Sequence, residues 1–470
     1  MNIKVQLVIE DGSEHDTLVQ EVASFSRQTL TPETLGLTLA EAKTLLAQVQ
    51  ETMASQQVAD YLDHQHTCPA CGRQRARKGQ CTIVYRTLFG TLHLPSPRYY
   101  TCRCQNHQLE QKGSWSPLAL LLAERTAPEL LYLETKWASL MSYGLTVKHL
   151  AEVLPLDATV NTTSLRRHVA SVAQRLEEAL GEEQWAFVEG CQRDWDALPR
   201  PDGPLTVGLD GGYVHGRDEH QRKAGTFEVI VGKSIPTAGA AKCFGFVQGH
   251  DQKPKRRLFE VLKAQGLQMN QAITFLSDGG DTVRELQLYL SPEAEHILDW
   301  FHVTMRLTMM QQLAKGVPTP ADTPGQRTVT AQLERIKWYL WHGNIFRALQ
   351  EIEELEWALE DVEQPAEPIT KLAKTMHEFR RYIESNQAFI PNYGERYRYG
   401  EAISSAMAES TVNQLISKRF EKKQQMRWTK RGAHLLLQVR TQVCNGDLRA
   451  TFEQWYPQLR SDRPSKALAA

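Results

Sequence analysis

The order of segments after the linker Pro-Arg-Pro-Asp-Gly-Pro at 199–204 limits the fold of this chain more than any other feature. Three strand-like apolar runs follow at short intervals, and turn residues separate them: LTVGLDGGYVHG, GTFEVIVGKSI and AKCFGFVQGH. The next segments predict helix, strand, helix, strand and helix up to about residue 315. An antiparallel start followed by alternating units predicts a mixed sheet with helices on its faces.

Two aspartates occupy matching positions in this predicted sheet. Asp210 ends the first apolar run and Asp278 ends the fourth, and each precedes Gly-Gly. Glycines at such a place let another backbone or a phosphate approach closely. One Asp before glycine is more often a turn former, but two matching sites in one sheet favour a shared function. We expect the first and fourth strands to be neighbours, with both carboxylates at one edge.

A third acid, Glu409, lies in the predicted helix AMAESTVNQ, whose small and apolar residues suit packing against the sheet. Three carboxylates can hold two divalent ions about 3.5–4 Å apart, the arrangement that activates a nucleophile and stabilises the leaving oxygen of a phosphodiester. Oxygen ligands favour Mg²⁺, and Mn²⁺ is the alternative. The 131 positions between Asp278 and Glu409 include a mostly helical stretch, which we read as an all-α insertion.

Five of the eight cysteines lie between residues 68 and 104, which in a chain without an apparent signal peptide indicates metal rather than disulfides. Cys68 and Cys71 have zinc-ribbon spacing, and Cys102 and Cys104 are one residue closer together. We predict a structural Zn²⁺ held by these four thiolates. His107 or Cys81 can replace one ligand, and a metal-free hairpin is the alternative. The predicted DNA-facing residues of this module are basic: Arg73, Arg75, Arg77 and Lys78.

Two further basic segments are candidate DNA contacts. A helix pair within 116–198 resembles a helix-turn-helix, with Arg166 and Arg167 early in the second helix, although generic helix packing gives the same pattern. Basic residues after Glu409 recur at helical spacing and can bind the phosphate backbone. They are Lys418, Arg419, Lys422, Lys423, Arg427, Lys430 and Arg431. Ordinary solvated helix faces are the alternative for each run.

We expect a cytoplasmic protein, associated with the nucleoid when bound to DNA, although the net charge by itself argues neither for nor against nucleic acid. The net charge is −1, but residues 1–60 hold nine acids and three bases, whereas residues 61–115 hold eight bases and two acids. Such segregation suits a phosphate-facing side. The sequence contains no run of 18 apolar residues, so no membrane span is expected.

Four stretches resemble the bacterial insertion-sequence transposases of the Asp-Asp-Glu superfamily, specifically the ISKra-four family, with a more distant likeness to Mutator-like elements. They are LTVGLDGGYVHG, FLSDGGDTVRELQ, ILDWFHVTMRL and SAMAESTVNQLISKRFEKKQQMRWTKRGAHLLLQVR. The resemblance implies that Asp210, Asp278 and Glu409 are catalytic and that Asp299 and His302 lie near the pocket. A capping or hydrogen-bonding role is the alternative for that last pair. It also implies double-stranded DNA as partner, through terminal inverted repeats and target, and at least a homodimer on DNA.

We therefore expect an α/β fold: a ribonuclease-H-like mixed five-stranded sheet with flanking helices, an all-α insertion, and an amino-terminal zinc-ribbon plus helical DNA-binding region. At about 100–200 residues per domain, 470 residues suggest about three domains. The predicted segments are 1–60 (strand and helix), 61–115 (zinc-ribbon-like), 116–198 (helical, DNA-binding), 204–315 (core, first part), 316–398 (insertion) and 399–470 (core completion and basic tail). The expected function is DNA cleavage and strand transfer. The alternatives are a related nuclease that does not integrate, and a non-catalytic DNA-binding protein derived from a transposase.

Overall fold

The computed structural model describes residues 1–10, 17–102, 104, 113–184, 191–199, 201, 203–217, 225–280, 286, 294–316, 328–362, 366–421 and 426–462. The chain divides into two compact units. The first comprises residues 1–172 and 446–470, and the second comprises residues 173–445. Within the described part of the chain, no helix is both long and apolar enough to cross a membrane.

The first unit begins with an antiparallel hairpin, β1 (Asn2–Glu10) and β2 (Thr17–Ser26), where the sequence predicts a single strand. A long helix α1 (Leu39–His66) follows. Thr38 caps this helix and forms the predicted capping box with Glu41: each side chain bonds the other residue's backbone N–H. Strands β3 (Arg77–Thr87) and β4 (Gly90–Tyr100) form the predicted hairpin, and β5 (Ser114–Trp115) extends it to a three-stranded sheet.

Helices complete the first unit. They are α2 (Pro117–Leu121), α3 (Pro128–Leu140), α4 (Tyr143–Val153) and α5 (Thr162–Ala179), the last of which leads into the second unit. A small apolar core lies between α1, the β3–β4 hairpin and α2, and it includes Ala54, Ile83 and Leu118.

The second unit contains a five-stranded mixed sheet, as predicted. After the short helix α6 (Gln192–Asp196) its elements are β6 (Leu205–His215), β7 (Thr226–Ile235), β8 (Lys242–Val247), α7 (Pro254–Ala264), β9 (Ile273–Ser277) and β10 (Glu295–Leu298). The strand order is β10-β9-β6-β7-β8. Strands β6, β7 and β8 are antiparallel to one another, whereas β9 runs parallel to β6 and β10 runs parallel to β9. The predicted neighbours, the first and fourth strands, are thus paired.

The two faces of this sheet are covered by different helices. Side chains alternate along a strand, so Leu205, Val207 and Leu209 point to one face, where they form a core with Leu258 and Leu262 of α7. Gly208, Asp210 and Gly212 point to the other face. The predicted helix at 281–290 lies outside the described residues except for Leu286, which belongs to the α7-side core.

The remaining helices follow β10 in sequence. They are α8 (Trp300–Ala314), α9 (Val329–Trp341), α10 (Ile345–Glu360), α11 (Glu367–Asn386), α12 (Tyr393–Arg398), α13 (Ala406–Val412), a π-helical segment (Asn413–Glu421), α14 (Lys430–Cys444) and, back in the first unit, α15 (Leu448–Trp455). The predicted insertion is helical in its described residues. Its apolar residues share one continuous core with Leu276, Ile297 and Leu298 of the sheet and with Val303 of α8.

Candidate active site

The strand register brings Asp210 and Asp278 to the same level. In the parallel pairing of β6 with β9, Gly208 lies opposite Leu276. Asp210 lies two residues beyond Gly208 within β6, and Asp278 lies two residues beyond Leu276, directly after the last residue of β9. One detail of the prediction is wrong: β6 does not end at Asp210 but continues to His215, because Gly211 and Gly212 stay paired with β7. It is β9 that ends, at Ser277, directly before Asp278.

Glycines on either side of Asp210 allow the helix that carries Glu409 to pack against the strand. A Cβ atom placed on Gly208 would lie 3.2 Å from Cβ of Ala408, and one on Gly212 would lie 2.8 Å from Cδ1 of Ile416. Helix α13 and the π-helical segment therefore lie directly on the face of β6 to which Asp210 points. Glu409, next to Ala408, is half-buried on this covering helix.

Asp299 ties the end of β10 to the start of α13. It is completely buried and caps α8, where its Oδ1 accepts from the N–H of Phe301 at 2.9 Å. The same carboxylate accepts the backbone N–H of Ser405 at 3.0 Å, and the Ser405 hydroxyl as well. His302 Nδ1 lies 2.9 Å from Asp299 Oδ2. The capping and hydrogen-bonding alternative for Asp299 is thus confirmed. The sequence misplaced the boundary here: the strand stops at Leu298 and the helix begins at Trp300.

His302 also faces the sheet, because its Nε2 lies 3.8 Å from Asp210 Oδ1. Burial by itself lowers the pKa of His302, but the hydrogen bond and charge of Asp299, together with the charges of Asp210 and Asp278, outweigh burial and raise it. Burial opposes ionisation of Asp299 as well, yet the hydrogen bonds from His302 and Ser405 lower its pKa. These contacts favour the protonated form of His302, which lies between Asp299 and Asp210.

Negative charge is in excess around Asp210. Burial is the largest cause that raises the pKa of this carboxyl, and the charges of Asp278 and Asp299 raise it further, against the opposing effect of His302. Its Oδ1 accepts the N–H of Gly211 at 2.8 Å, and Asp278 Oδ1 accepts that of Gly280 at 3.1 Å. Oxygen donors in such surroundings suit a hard divalent cation, which would remove the repulsion between them.

The three predicted carboxylates are not drawn together as tightly as a single-ion site. Among the described residues, two sets of at least three ligand atoms lie within 4.8 Å of one another, and Asp210, Asp278 and Glu409 are not one of them. In a two-ion site each ion contacts only some of the carboxylates. The register of β6 and β9 thus brings Asp210 and Asp278 to the same edge of the sheet. Glu409 lies on α13, the helix that packs against β6.

One of the two tight sets is Glu177, Asp251 and His434, and an arginine fills it. The Arg257 guanidinium bonds Asp251 at 2.9 Å, Glu177 at 3.0 Å and Gln438 at 2.7 Å. Burial opposes the charge on Glu177, but His434 and Arg257 hold the pKa of its carboxyl at about 2. The cluster is a buried ion-pair network that joins α5, α7 and α14, and its cation is already a side chain.

The other set is the predicted cysteine group. Cys68 Sγ lies 3.6 Å from Cys104 Sγ, and Cys71 Sγ lies 3.5 Å from Cys102 Sγ. All four sulfur atoms lie within 4.8 Å of one another. A tetrahedral ion with Zn–S bonds of about 2.3 Å needs sulfur atoms about 3.8 Å apart, so the geometry can hold zinc. A backbone hydrogen bond at Ala70 is the largest cause that lowers the pKa of Cys68 to about 6. His107 lies outside the described residues, and Cys81 bonds Ser96 O instead.

Most of the predicted DNA contacts are on the surface. The exposed ones are Arg73, Arg77, Lys78, Arg166, Arg167, Lys418, Arg427, Lys430 and Arg431. Lys422 and Lys423 lie outside the described residues.

Two predicted contacts need correction because they are buried. Arg75 donates to Gln65 O at 2.7 Å and stacks on Trp115. Arg419 is completely buried with its guanidinium over the ring of Trp428, which is itself buried. Neither arginine has surface to offer DNA.

The second helix of the predicted DNA-binding pair begins slightly earlier than the sequence suggests. Asn161, rather than Thr163 or Ser164, provides the cap, and its Oδ1 accepts the N–H groups of both at 3.0 Å. His168 does not face outward with the nearby arginines. Its Nδ1 lies 2.5 Å from a carboxylate oxygen of Glu134, which is fully buried.

Sequence reasoning missed two residues near the site. Ser405 gives no signal of its own, since nothing local marks it as a partner of Asp299, 106 residues earlier. Glu228 offered a signal: a lone acid in the apolar strand TFEVIVG. Burial raises the pKa of Glu228, and the charge of Asp278 raises it further, so this acid lies close to the predicted pair.

Comparisons with known proteins add little to this geometry. No protein-family model matches the chain, and no curated protein matches it either. Among solved structures, the Drosophila P element transposase strand transfer complex is similar over 75% of this chain and 84% of that chain. The sequence identity is 9% and the TM-score is 0.24, a level at which the likeness supports no conclusion about function.

Proposed function

We propose that this protein is a DNA transposase of the Asp-Asp-Glu type, similar to the ISKra-four family, and that it cleaves and joins DNA with the help of Mg²⁺ or Mn²⁺. The observation that supports the proposal is the register of β6 and β9: Gly208 lies opposite Leu276, Asp210 and Asp278 each follow two residues later, and α13, which carries Glu409, packs on β6. The strand order, with three antiparallel strands followed by two parallel ones, supports a ribonuclease-H-like reading of the sheet.

Asp210, Asp278 and Glu409 would hold two divalent ions, which when bound activate an oxygen nucleophile and stabilise the leaving oxygen. The chain's own contribution is to position these groups. Gly208 and Gly212 let α13 approach the strand, and Asp299 fixes the start of α13 through Ser405. His302, linked to Asp299 and near Asp210, would place positive charge beside the acids when it is protonated.

Four thiolates, Cys68, Cys71, Cys102 and Cys104, would hold a structural Zn²⁺ in the first unit. The exposed basic residues of that unit and of the segment after Glu409 would bind the phosphates of double-stranded DNA, both the element ends and the target. Because two ends must be held at once, we expect at least a dimer on DNA. The division of the chain into six segments made from the sequence stays a prediction.

The proposal is tested with full-length protein, supercoiled plasmid, and pre-cut duplexes tiled from the DNA on either side of the coding sequence. We expect Mg²⁺- or Mn²⁺-dependent nicking and joined products from wild-type protein. Asp210→Asn, Asp278→Asn and Glu409→Gln should each abolish both reactions while DNA binding in Ca²⁺ is kept.

Nicking without joined product would favour the non-integrating nuclease. Binding without either reaction would favour the non-catalytic DNA-binding protein. Full activity of Asp278→Asn would show that the site assignment is wrong.

A further inference from the structure

Arg306 lies one helical turn beyond His302 on α8 and therefore on the same helix face. His302 points from this face toward Asp210, with Nε2 and Oδ1 3.8 Å apart. Arg306 is half-buried on this helix. Its sequence context gives no signal of function, because a lone arginine in VTMRLTMM is typical of an ordinary helix residue.

A tyrosine from the insertion supports this arginine. The Arg306 guanidinium lies 4.2 Å from the ring centre of Tyr382 on α11. Burial is the largest cause that raises the pKa of Tyr382, the charges of Asp278 and Asp299 raise it further, and Arg306 opposes them. The stacked pair therefore lies beside the same acids that form the candidate site.

The end of α11 also contacts the loop after Asp278. Gly279 has a φ of +88°, and a Cβ atom there would lie 2.3 Å from Oδ1 of Asn386. Asn386 is buried and its side-chain N–H donates to Tyr382 O at 2.8 Å. One helix of the insertion thus fixes both the Asp278 loop and the ring on which Arg306 stacks.

The surroundings of Arg306 differ from those of three other half-buried arginines of this unit. Arg335, Arg380 and Arg396 each form an ion pair with a glutamate. Within the part of the chain that the structure describes, Arg306 has no such carboxylate partner. A stacked guanidinium beside a cluster of acids keeps its planar donors directed at a ligand, and phosphate is the anion that this fork fits best.

We propose that Arg306 binds a non-bridging oxygen of a DNA phosphate at the carboxylate site, with Tyr382 of the insertion holding its guanidinium in place. This inference rests on the proposed function and names a substrate contact that the three acids cannot supply. The acids repel the DNA backbone, and a fixed cation next to them offsets that repulsion at one phosphate. Through Tyr382, the insertion then contributes a positioning residue to the candidate active site.

The test uses full-length Arg306→Ala, Arg306→Lys, Tyr382→Leu and Tyr382→Phe, with Arg335→Ala as matched control. Arg335 also lies over a tyrosine, Tyr339, but its charge is taken by Glu351. We expect Arg306→Ala to lower the single-turnover rate of plasmid nicking about 100-fold, the effect of removing one preorganised donor. Arg306→Lys should recover part of that loss. Tyr382→Leu should lose more than Tyr382→Phe, and Arg335→Ala should match wild type.

A binding measurement separates phosphate contact from a merely structural role. Pre-cut duplexes that each carry one neutral methylphosphonate are titrated in Ca²⁺. Wild-type protein should bind one of them at least 10-fold more weakly, and Arg306→Ala should be insensitive at that same position. The dependence of log K on log salt concentration should also be weaker for Arg306→Ala, by the amount expected for the loss of one phosphate contact.

Equal nicking by Arg306→Ala and Arg335→Ala would overturn the inference. The inference would also be overturned if Arg306→Ala were as sensitive as wild-type protein to the methylphosphonate at every position. If wild-type protein neither nicks nor joins DNA, the proposed function fails instead, and the binding cycle still decides whether Arg306 contacts a phosphate.

Discussion

Replacing Ser405 with alanine should destabilise the second unit and misplace the helix that carries Glu409. Ser405 is almost fully buried, and its backbone N–H and its hydroxyl both bond the buried carboxylate of Asp299. The substitution removes the hydroxyl bond and, within the part of the chain that the structure describes, leaves Oδ2 of Asp299 bonded to His302 alone. Oδ1 keeps its two backbone donors.

A hydrogen bond to a charged group contributes about 1.5–3 kcal/mol. For a cooperative unit of 150–250 residues, 1 kcal/mol shifts Tm by about 2–4 °C. We therefore expect Ser405→Ala to lower the Tm of the unit by roughly 3–12 °C in calorimetry. Nicking measured well below that Tm should fall about 10-fold or more, because small displacements of a catalytic group are costly.

Ser404 provides the matched control. It is the adjacent serine, it is half-buried, and its hydroxyl accepts the N–H of Ala406 at 3.2 Å. Ser404→Ala should cost less than about 1 kcal/mol and leave nicking unchanged. Equal Tm and equal nicking for the two variants would refute the view that the bond between Asp299 and Ser405 positions α13.

Three further predictions follow from other parts of the structure. Glu177→Gln should cost about 1–3 kcal/mol of unfolding free energy at neutral pH; the folded pKa of Glu177 is lowered to about 2, so its contribution is present above the ordinary value of 4.5 and is lost as the pH falls toward 2, and urea titrations from pH 7 to pH 3 should show the gap to wild type closing. Cys71→Ser should lose the one zinc ion per chain expected by elemental mass spectrometry and lower the Tm of the first unit, whereas Cys81→Ser should retain the metal; equal zinc content in the two variants would contradict the four-thiolate site. Arg419→Ala should reduce Tm because it leaves a cavity in the core. Replacing the exposed Arg427 with alanine should leave Tm unchanged and weaken duplex binding in Ca²⁺. If Arg419→Ala instead weakened DNA binding without a change in Tm, the side chain would not be buried as described.

Local sequence patterns were sufficient to predict most of the fold. Apolar alternation and turn residues gave the five strands, and a chain of three antiparallel runs followed by alternating units has few ways to pair. The capping box at Thr38 and the hairpin around Gly90 are also local, and both are confirmed. Asp210 was assigned to a strand end only because Gly-Gly looked like a stop, whereas sheet pairing kept both glycines extended.

Long-range contacts could not be predicted in this way. Nothing in the sequence shows that Ser405 meets Asp299 or that Asn386 fills the space beside Gly279, since both pairs lie about 100 residues apart. Charge alone misled the reading of Arg75 and Arg419, because an arginine with carbonyl or ring partners is buried as readily as it is exposed. Burial depends on the finished packing, which a charge pattern does not contain.

The contact between Asn386 and Gly279 bears on how a chain of this kind can change over evolution. A helix inserted late in the sequence is interlocked with the turn that follows Asp278, and its apolar residues continue the core of the sheet. Shortening or exchanging that insert would remove the contact of Asn386 with the turn and would expose apolar residues of the sheet core to solvent. Gain or loss of the segment therefore requires compensating changes at the sheet, and we expect the two to be inherited as a single unit.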